Sequence, residues 1–305
     1  MNMVQTTGIV NQTEAKCSLS VEEGITLAAI NLTLSILGTT GNVLVCLSII
    51  LTPSLQVVSN WFLFSMAVSD LLNALIVAPL QSVLSLSYVH SVCLTEIKKI
   101  FRFVSNLSGS SSLTHLCFIS LERCVAILKP FTYNEILCGR KLTAMFSLAW
   151  ILPLIYTNLR LIVAKSYTSY LSVTSYFGFY ATILVSYGCI FYNVHKERQR
   201  IREFSMQGRL EKVRHDLEKR LAVTIAVVIL VINVTWVPLF YYRLRDPSVS
   251  YGLGYECART LVVASAVLNP VIYNMRSKDF RRATKRIICY CCSKVNLLRL
   301  TVQET

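Results

Sequence analysis

"ITLAAINLTLSILGTTGNVLVCLSIIL", residues 25–51, runs on without a single charged side chain. A helix of about 20 apolar residues, rising about 1.5 Å per residue, crosses the roughly 30 Å hydrocarbon layer of a bilayer. This stretch is long enough, and it is not alone. Residues 71–89, 103–121, 142–159, 166–194 and 221–242 also carry no charge, 60–84 carry only Asp70, and 260–275 complete the set. Seven spans are predicted, near 25–50, 59–85, 97–128, 141–161, 168–195, 218–243 and 254–274. Each must be helical, because hydrocarbon offers no water to backbone groups. A soluble helical protein would need polar faces that these segments lack, and the chain's 15% charged residues and mean hydropathy of +0.54 agree.

The basic excess, a formal charge of +14, then becomes an orientation signal. Nine Lys and Arg lie in 195–220, eight follow the last span, and Arg123, Lys129, Arg140 and Lys141 flank the third-to-fourth connection. With seven spans all of these fall on one side, which is therefore cytoplasmic. Residues 1–24 are expected outside, 25–275 in the membrane and 276–305 inside as an amphipathic helix and tail. The N-terminus lacks a basic region and an early apolar core, so no cleaved signal is expected. Asn11 opens a glycosylation sequon on the outer side, while the sequons at Asn106 and Asn233 fall within spans. No nucleic-acid partner is expected.

Ionisable groups inside membrane helices usually face the bundle interior. On the third span Lys98, Arg102, Ser105, Gly109, Ser112, Leu116, Ile119 and Arg123 recur every three or four residues and share one face. The stripe, small or polar over its outer two-thirds, reads as the inward face. Arg102 and Arg123 are about 32 Å apart along it, one membrane thickness.

With these residues on the page, the chain resembles a rhodopsin-like (class A) G-protein-coupled receptor from its first span into its tail. Gly41-Asn42-Val43-Leu44-Val45 is similar to that family's GNxLV, and Ser69-Asp70-Leu71-Leu72 stands at its LAxxD region. Leu121-Glu122-Arg123-Cys124 replaces DRY. Trp150 lies in the fourth span, Trp236-Val237-Pro238 matches WxP, and Asn269-Pro270-Val271-Ile272-Tyr273 is a complete NPxxY, followed seven residues later by Phe280. The resemblance implies an all-α membrane protein, a seven-transmembrane helix bundle with a short cytoplasmic amphipathic helix. It implies a plasma-membrane receptor, not an enzyme, that passes an extracellular signal to a heterotrimeric G protein.

By the same resemblance, Arg123 is the cytoplasmic switch arginine, held at rest by Glu122 and by Glu218 at the start of the sixth span. Tyr187 and Tyr273 would close around it in the active form, and Pro238 and Pro270 supply kinks by each removing a backbone hydrogen bond. Asp70, Ser112, Ser265 and Asn269 match the family's allosteric sodium site, with Asn42 nearby; a protonated Asp70 in a water-filled network is the alternative. No other cofactor is expected.

The ligand must be read from what differs. Aminergic receptors need an acid where this chain has Ser105, and opsins need a lysine where it has Val263. Arg102, Arg243 and Arg259 on three helices read as converging on one cavity, with Ser105, Asn106, Gly109, Trp236 and Phe240, and suggest an anionic ligand (lipid, nucleotide or acidic small molecule) held by charge-assisted contacts. Lys98, Arg160, Lys165 and Arg245 add to the rim. The other reading has these arginines anchoring helix ends through Glu96, Asp246 and Glu256.

Several positions depart from the family. Lys98 replaces the third-span cysteine, residues 160–175 contain no cysteine, the second outer loop is very short, and Phe179 replaces the fifth-span proline. That combination resembles the melanocortin, cannabinoid and lysophospholipid group, whose pockets can open toward lipid. The outer cysteines Cys17, Cys93 and Cys257 permit one bond, which sequence does not single out; Cys17–Cys257 is the expected pair. Ile232 stands where an aromatic residue normally transmits the sixth-helix rotation. The tail "RSKDFRRATKRIICYCC" reads as a basic amphipathic helix on anionic lipid, with Cys289, Cys291 and Cys292 as palmitoylation candidates. A transporter or channel would show internal repeats or charge rings, and the four scattered histidines suggest no enzyme. A constitutively active or ligand-independent receptor-like scaffold, or a peptide receptor, is the competing reading. If Glu218 restrains Arg123, Glu218→Ala raises ligand-independent signalling, a bias of about 1–3 kcal/mol; an unchanged basal level counts against the lock.

Overall fold

Ser20 starts the first helix. Its hydroxyl accepts from the Glu23 backbone N–H at 3.2 Å while the Glu23 carboxylate accepts from the Ser20 N–H at 2.9 Å, so two orphan donors are satisfied at once. The computed structural model describes residues 18–129, 131–163, 165–203, 227, 230, 231, 233–245 and 252–303. Asn11, Cys17, Glu218 and Ile232 lie outside them, as do the side chains of Cys291 and Cys292.

Every regular element among the described residues is helical. α1 (Val21–Leu51) ends before Pro53 and a short 3₁₀ turn, Pro53–Leu55. α2 runs from Val58 to Val89, α3 spans Thr95–Leu128, and a single turn, Tyr133–Ile136, leads to α4 (Gly139–Ile162). α5 (Lys165–Glu203) follows almost at once, so the connection between α4 and α5 is as short as expected. Residues 233–245 form α6, then come α7 (Leu253–Arg276) and α8 (Lys278–Gln303). Among the described residues five helices, α1 to α5, are long and apolar enough to cross a membrane. Seven spans were expected; the described parts of α6 and α7 are helical but do not add to that count. α8 is longer than the short helix expected.

α2 contains a five-residue π-helical stretch, Asn73–Val77, in which the Ala78 N–H reaches back to the Asn73 carbonyl. Pro79 lies just beyond. Its missing N–H breaks the regular ladder, and wider-pitched bonding is one way to re-satisfy the carbonyls behind it.

α3 is central and packs against α2, α4 and α5. A chain of neutral donors binds α2, α3 and α4 together. Trp150 Nε1–H donates to Ser65 Oγ at 2.9 Å, and Ser65 Oγ lies 2.8 Å from His115 Nε2. His115 Nδ1 lies 2.8 Å from the Ser111 carbonyl, which can only accept. The Nδ1–H tautomer therefore completes the chain, with Ser65 donating to Nε2. Apolar clusters fill the rest: Leu113, Tyr176, Ile183, Tyr187 and Phe240 join α3, α5 and α6, and Val45, Ile49, Ala67, Phe280 and Ala283 join α1, α2 and α8. Large apolar side chains such as Ile36, Leu154 and Val185 face outward, as lipid contact requires.

α1 lies close against α2 and α7 at Gly38, where an added Cβ would stand 3.0 Å from Ala74 Cβ and 3.5 Å from Val267 Cγ2. Gly38→Leu should overpack this contact and cost about 1–3 kcal/mol. The expected reading is a lower melting midpoint of the purified protein in detergent; a midpoint equal to wild type would contradict the close approach.

Candidate functional site

The α3 stripe lies largely inside the bundle: Lys98, Gly109, Ser112 and Ile119 are buried, and Arg102, Ser105, Leu116 and Arg123 half-buried. At one end Arg123 Nε stands 3.2 Å from Glu122 Oε2, with the Glu122 side chain fully enclosed. Tyr133, on the helical turn after α3, donates its hydroxyl to Glu122 Oε1 at 2.5 Å. Burial, followed by the bond to Glu122, raises the Tyr133 phenol to about 12, so it keeps its proton and remains a donor. Sequence reasoning missed Tyr133; its only signal was its position just past the break that ends α3. Pro238 and Pro270 lie inside α6 and α7. Tyr187 packs among Ile183, Ile190 and Val194, and the Tyr273 hydroxyl stands 3.7 Å from Met66 Sδ.

Midway along the bundle Asp70 is buried. Ser112 Oγ donates to one carboxylate oxygen at 2.6 Å and Asn269 Nδ2 to the other at 2.8 Å. Two of the three expected partners therefore meet Asp70. Ser265 instead donates to the Val262 carbonyl on its own helix at 2.6 Å, and Asn42 donates to the Gly38 and Ala266 carbonyls. The residue types still fit a small hard cation. Both serine hydroxyls, acting as donors, keep lone pairs free, and Asp70 contacts no cationic side chain among the described residues.

Beyond this layer, α3 to α7 line a cavity of about 250 Å³. Ser105, Asn106, Trp236, Phe240 and Arg243 line it, as sequence reasoning expected. Gly109 lies behind Trp236 instead: a Cβ there would stand 2.8 Å from the indole ring, so the missing side chain lets the ring lie against α3. Trp236 stacks on Phe240 (centroids 5.8 Å apart), which meets Tyr176 of α5 at 4.6 Å.

The expected convergence of three arginines is not what forms. Arg259 is buried in an ion pair with Glu256, Nη1 to Oε1 2.9 Å, and its guanidinium lies 3.8 Å from the centre of the Phe101 ring. Gln81, Asn31 and Thr260 complete that polar cluster through bonds of 3.0–3.2 Å. The acid three residues away on the same helix face captures the arginine, so the anchoring alternative describes Arg259. Arg102 does not line the cavity either. Arg160, expected at the rim, does not line the cavity but holds three residues that do: its Nη1 donates to Asn106 Oδ1 (3.3 Å), Tyr156 OH (3.1 Å) and Ser172 Oγ (3.2 Å). Tyr156 and Ser172 also join each other at 2.5 Å. Arg243 forms no hydrogen bond or ion pair among the described residues, and no carboxylate lines the cavity.

Cys257 is a free, exposed thiol, so the expected Cys17–Cys257 pair does not form. Cys93 is the disulfide-bonded cysteine, its partner outside the described residues. In α8, Phe280 and Ala283 are buried, Thr284 donates to Asn274 at 3.0 Å, and Arg281, Arg282, Lys285, Arg286 and Cys289 are exposed.

The profile of the family described as "7 transmembrane receptor (rhodopsin family)" matches residues 41–273. The chain belongs to this family. It is a multi-pass membrane receptor and not an enzyme. Its relatives include the histamine H2 receptor of Rattus norvegicus, 25% identical over 91% of this chain and 83% of that receptor. The alpha-1D adrenergic receptor of Homo sapiens is 25% identical over 92% of this chain and 60% of its own length. The adenosine receptor A2a of Canis lupus familiaris is 24% identical over 85% and 71%. These relatives give no support to the resemblance to the melanocortin, cannabinoid and lysophospholipid group.

Within this receptor, Tyr133→Phe removes a bond to a buried carboxylate worth about 1.5–3 kcal/mol. The expected outcome is raised ligand-independent signalling at matched surface expression; a basal level equal to wild type would show that Tyr133 does not restrain the switch.

Proposed function

We propose that this receptor crosses the plasma membrane seven times with its N-terminus extracellular, and that it binds an anionic ligand and activates a heterotrimeric G protein. The observation that carries the ligand reading is the cavity wall: Arg243 lines it, no carboxylate does among the described residues, and Arg160 stands against it, bonded to its Asn106, Tyr156 and Ser172. Among the described residues Arg160 is held only by neutral oxygens, so its charge stays available, and a bidentate anion is the natural counterpart of two guanidinium forks. An amine would meet two like charges and find Ser105 where the amine receptors need an acid.

Ligand closure on Arg243 would move α6, and with it Trp236, which bears directly on α3 at Gly109. The consequence at the far end is release of Arg123 from Glu122, with Tyr133 and Glu218 as further restraints. A sodium ion held by Asp70, Ser112, Ser265 and Asn269 would supply charge compensation in the resting bundle. α8 would lie on the anionic inner leaflet through its arginines and lysines, with Cys289, Cys291 and Cys292 as acyl sites and Asn11 glycosylated outside.

Cells expressing the receptor should respond to phosphate- or carboxylate-bearing compounds within a panel that also holds amines and nucleosides. Arg243→Ala and Arg160→Ala should each lower potency roughly 10- to 100-fold, as expected for one charge-assisted contact of about 1.5–3 kcal/mol, with Arg243→Lys intermediate. Activation by a cationic amine that is unaffected by both substitutions would overturn the reading.

A further inference from the structure

We infer that the anion is the head of a single-chain lipid, and that it enters the cavity sideways from the outer leaflet between α4 and α5. This rests on the anionic reading above, and a different set of residues carries it. Leu152, Ile155 and Leu159 of α4 and Leu171 of α5 line the cavity, yet they are 42%, 53%, 41% and 40% exposed. The same side chains face the cavity on one side and the surrounding lipid on the other. Among the described lining residues, only this wall is made so. α3 packs closely on both α4 and α5, whereas those two helices meet each other at few points.

A wall of four aliphatic side chains with nothing behind it excludes water and admits hydrocarbon. A chain passing between them exchanges lipid contacts for leucine and isoleucine contacts, with no polar group to desolvate. A small hydrophilic ligand would gain nothing from an open side facing acyl chains. The charges lie at the matching depth: Arg160 is in the last turn of α4, two residues before its end at Ile162, and Arg243 lies seven residues, about 10 Å, beyond Trp236. An anionic head could therefore stay at headgroup level while its chain passes between α4 and α5. The cavity of about 250 Å³ falls below the roughly 300–1,000 Å³ of ordinary ligand sites. It suits a head and the first part of a chain, with the remainder left in the bilayer. Tyr176, Phe179 and Phe240 supply the apolar floor.

The test uses the full-length receptor in lipid nanodiscs, with oleyl phosphate as the long-chain probe and butyl phosphate as the soluble one. Oleyl phosphate should raise the melting midpoint at far lower concentration than butyl phosphate. Ile155→Trp or Leu171→Trp should slow its association at least tenfold, far more than that of butyl phosphate, and Ile155→Ala should speed it. The opposite signs separate a gate from a folding defect. Equal potency of the two phosphates would overturn the lipid class while leaving the anion reading intact. Tight oleyl phosphate binding at the wild-type rate in all three variants would overturn the route. Failure of both phosphates to bind, or binding undiminished in Arg160→Ala and Arg243→Ala, would overturn the anionic reading itself.

Discussion

A polar group inside the hydrocarbon layer must find its partner within the protein, and this constraint organises the whole bundle. It makes every span a helix, because the backbone can then satisfy itself. It also explains where the side-chain bonds lie. Trp150, Ser65 and His115 form a single run of hydrogen bonds across α2, α3 and α4 that ends on the Ser111 carbonyl as acceptor. Asn31, Gln81 and Thr260 do the same for α1, α2 and α7. Helices in lipid have little hydrophobic reason to associate. Bonds of this kind, with close approaches such as Gly38 against Ala74, hold them in one arrangement.

The same constraint separates the arginines into two kinds. Arg259 has an acid on its own helix face and two aromatic rings beside it, so its charge is neutralised in place. Arg243 lines a cavity without an acid among the described residues, and Arg160 stands beside it, bonded to three residues of the wall. A membrane protein seldom leaves a guanidinium group facing an apolar space, with a second one beside it, without use for them. The proposed anion is that use, and the proposed lipid chain accounts for the uncovered side of the same cavity.

α3 joins these regions mechanically. Near its middle, Gly109 lets Trp236 of α6 lie against the helix axis. One layer further, Ser112 holds Asp70. At the end, Glu122 holds Arg123 and accepts the Tyr133 hydroxyl. Each contact is short and crosses between elements, except the pairing of Glu122 with its neighbour Arg123. A displacement of α6 at the cavity therefore meets α3 directly and need not travel through a long chain of side chains.

Charge-free runs such as 25–51 determined by themselves that the chain enters a membrane as helices, because transfer into hydrocarbon depends on composition and length alone. The inward face of α3 was also legible, since small and polar residues repeat with the helical period and cannot all face lipid. Motifs with fixed spacing, from Gly41-Asn42 to Asn269-Pro270, were enough to indicate the family. The partners of individual side chains were not legible. Sequence distance does not show that Glu256 takes Arg259 out of the cavity, that Arg160 reaches Asn106 across 54 positions, or that Tyr133 folds back onto Glu122. Nor does it show that Cys257 stays free. Those outcomes depend on helix rotation and rotamer choice. Both are set by packing all the helices at once, so only the tertiary structure could decide them.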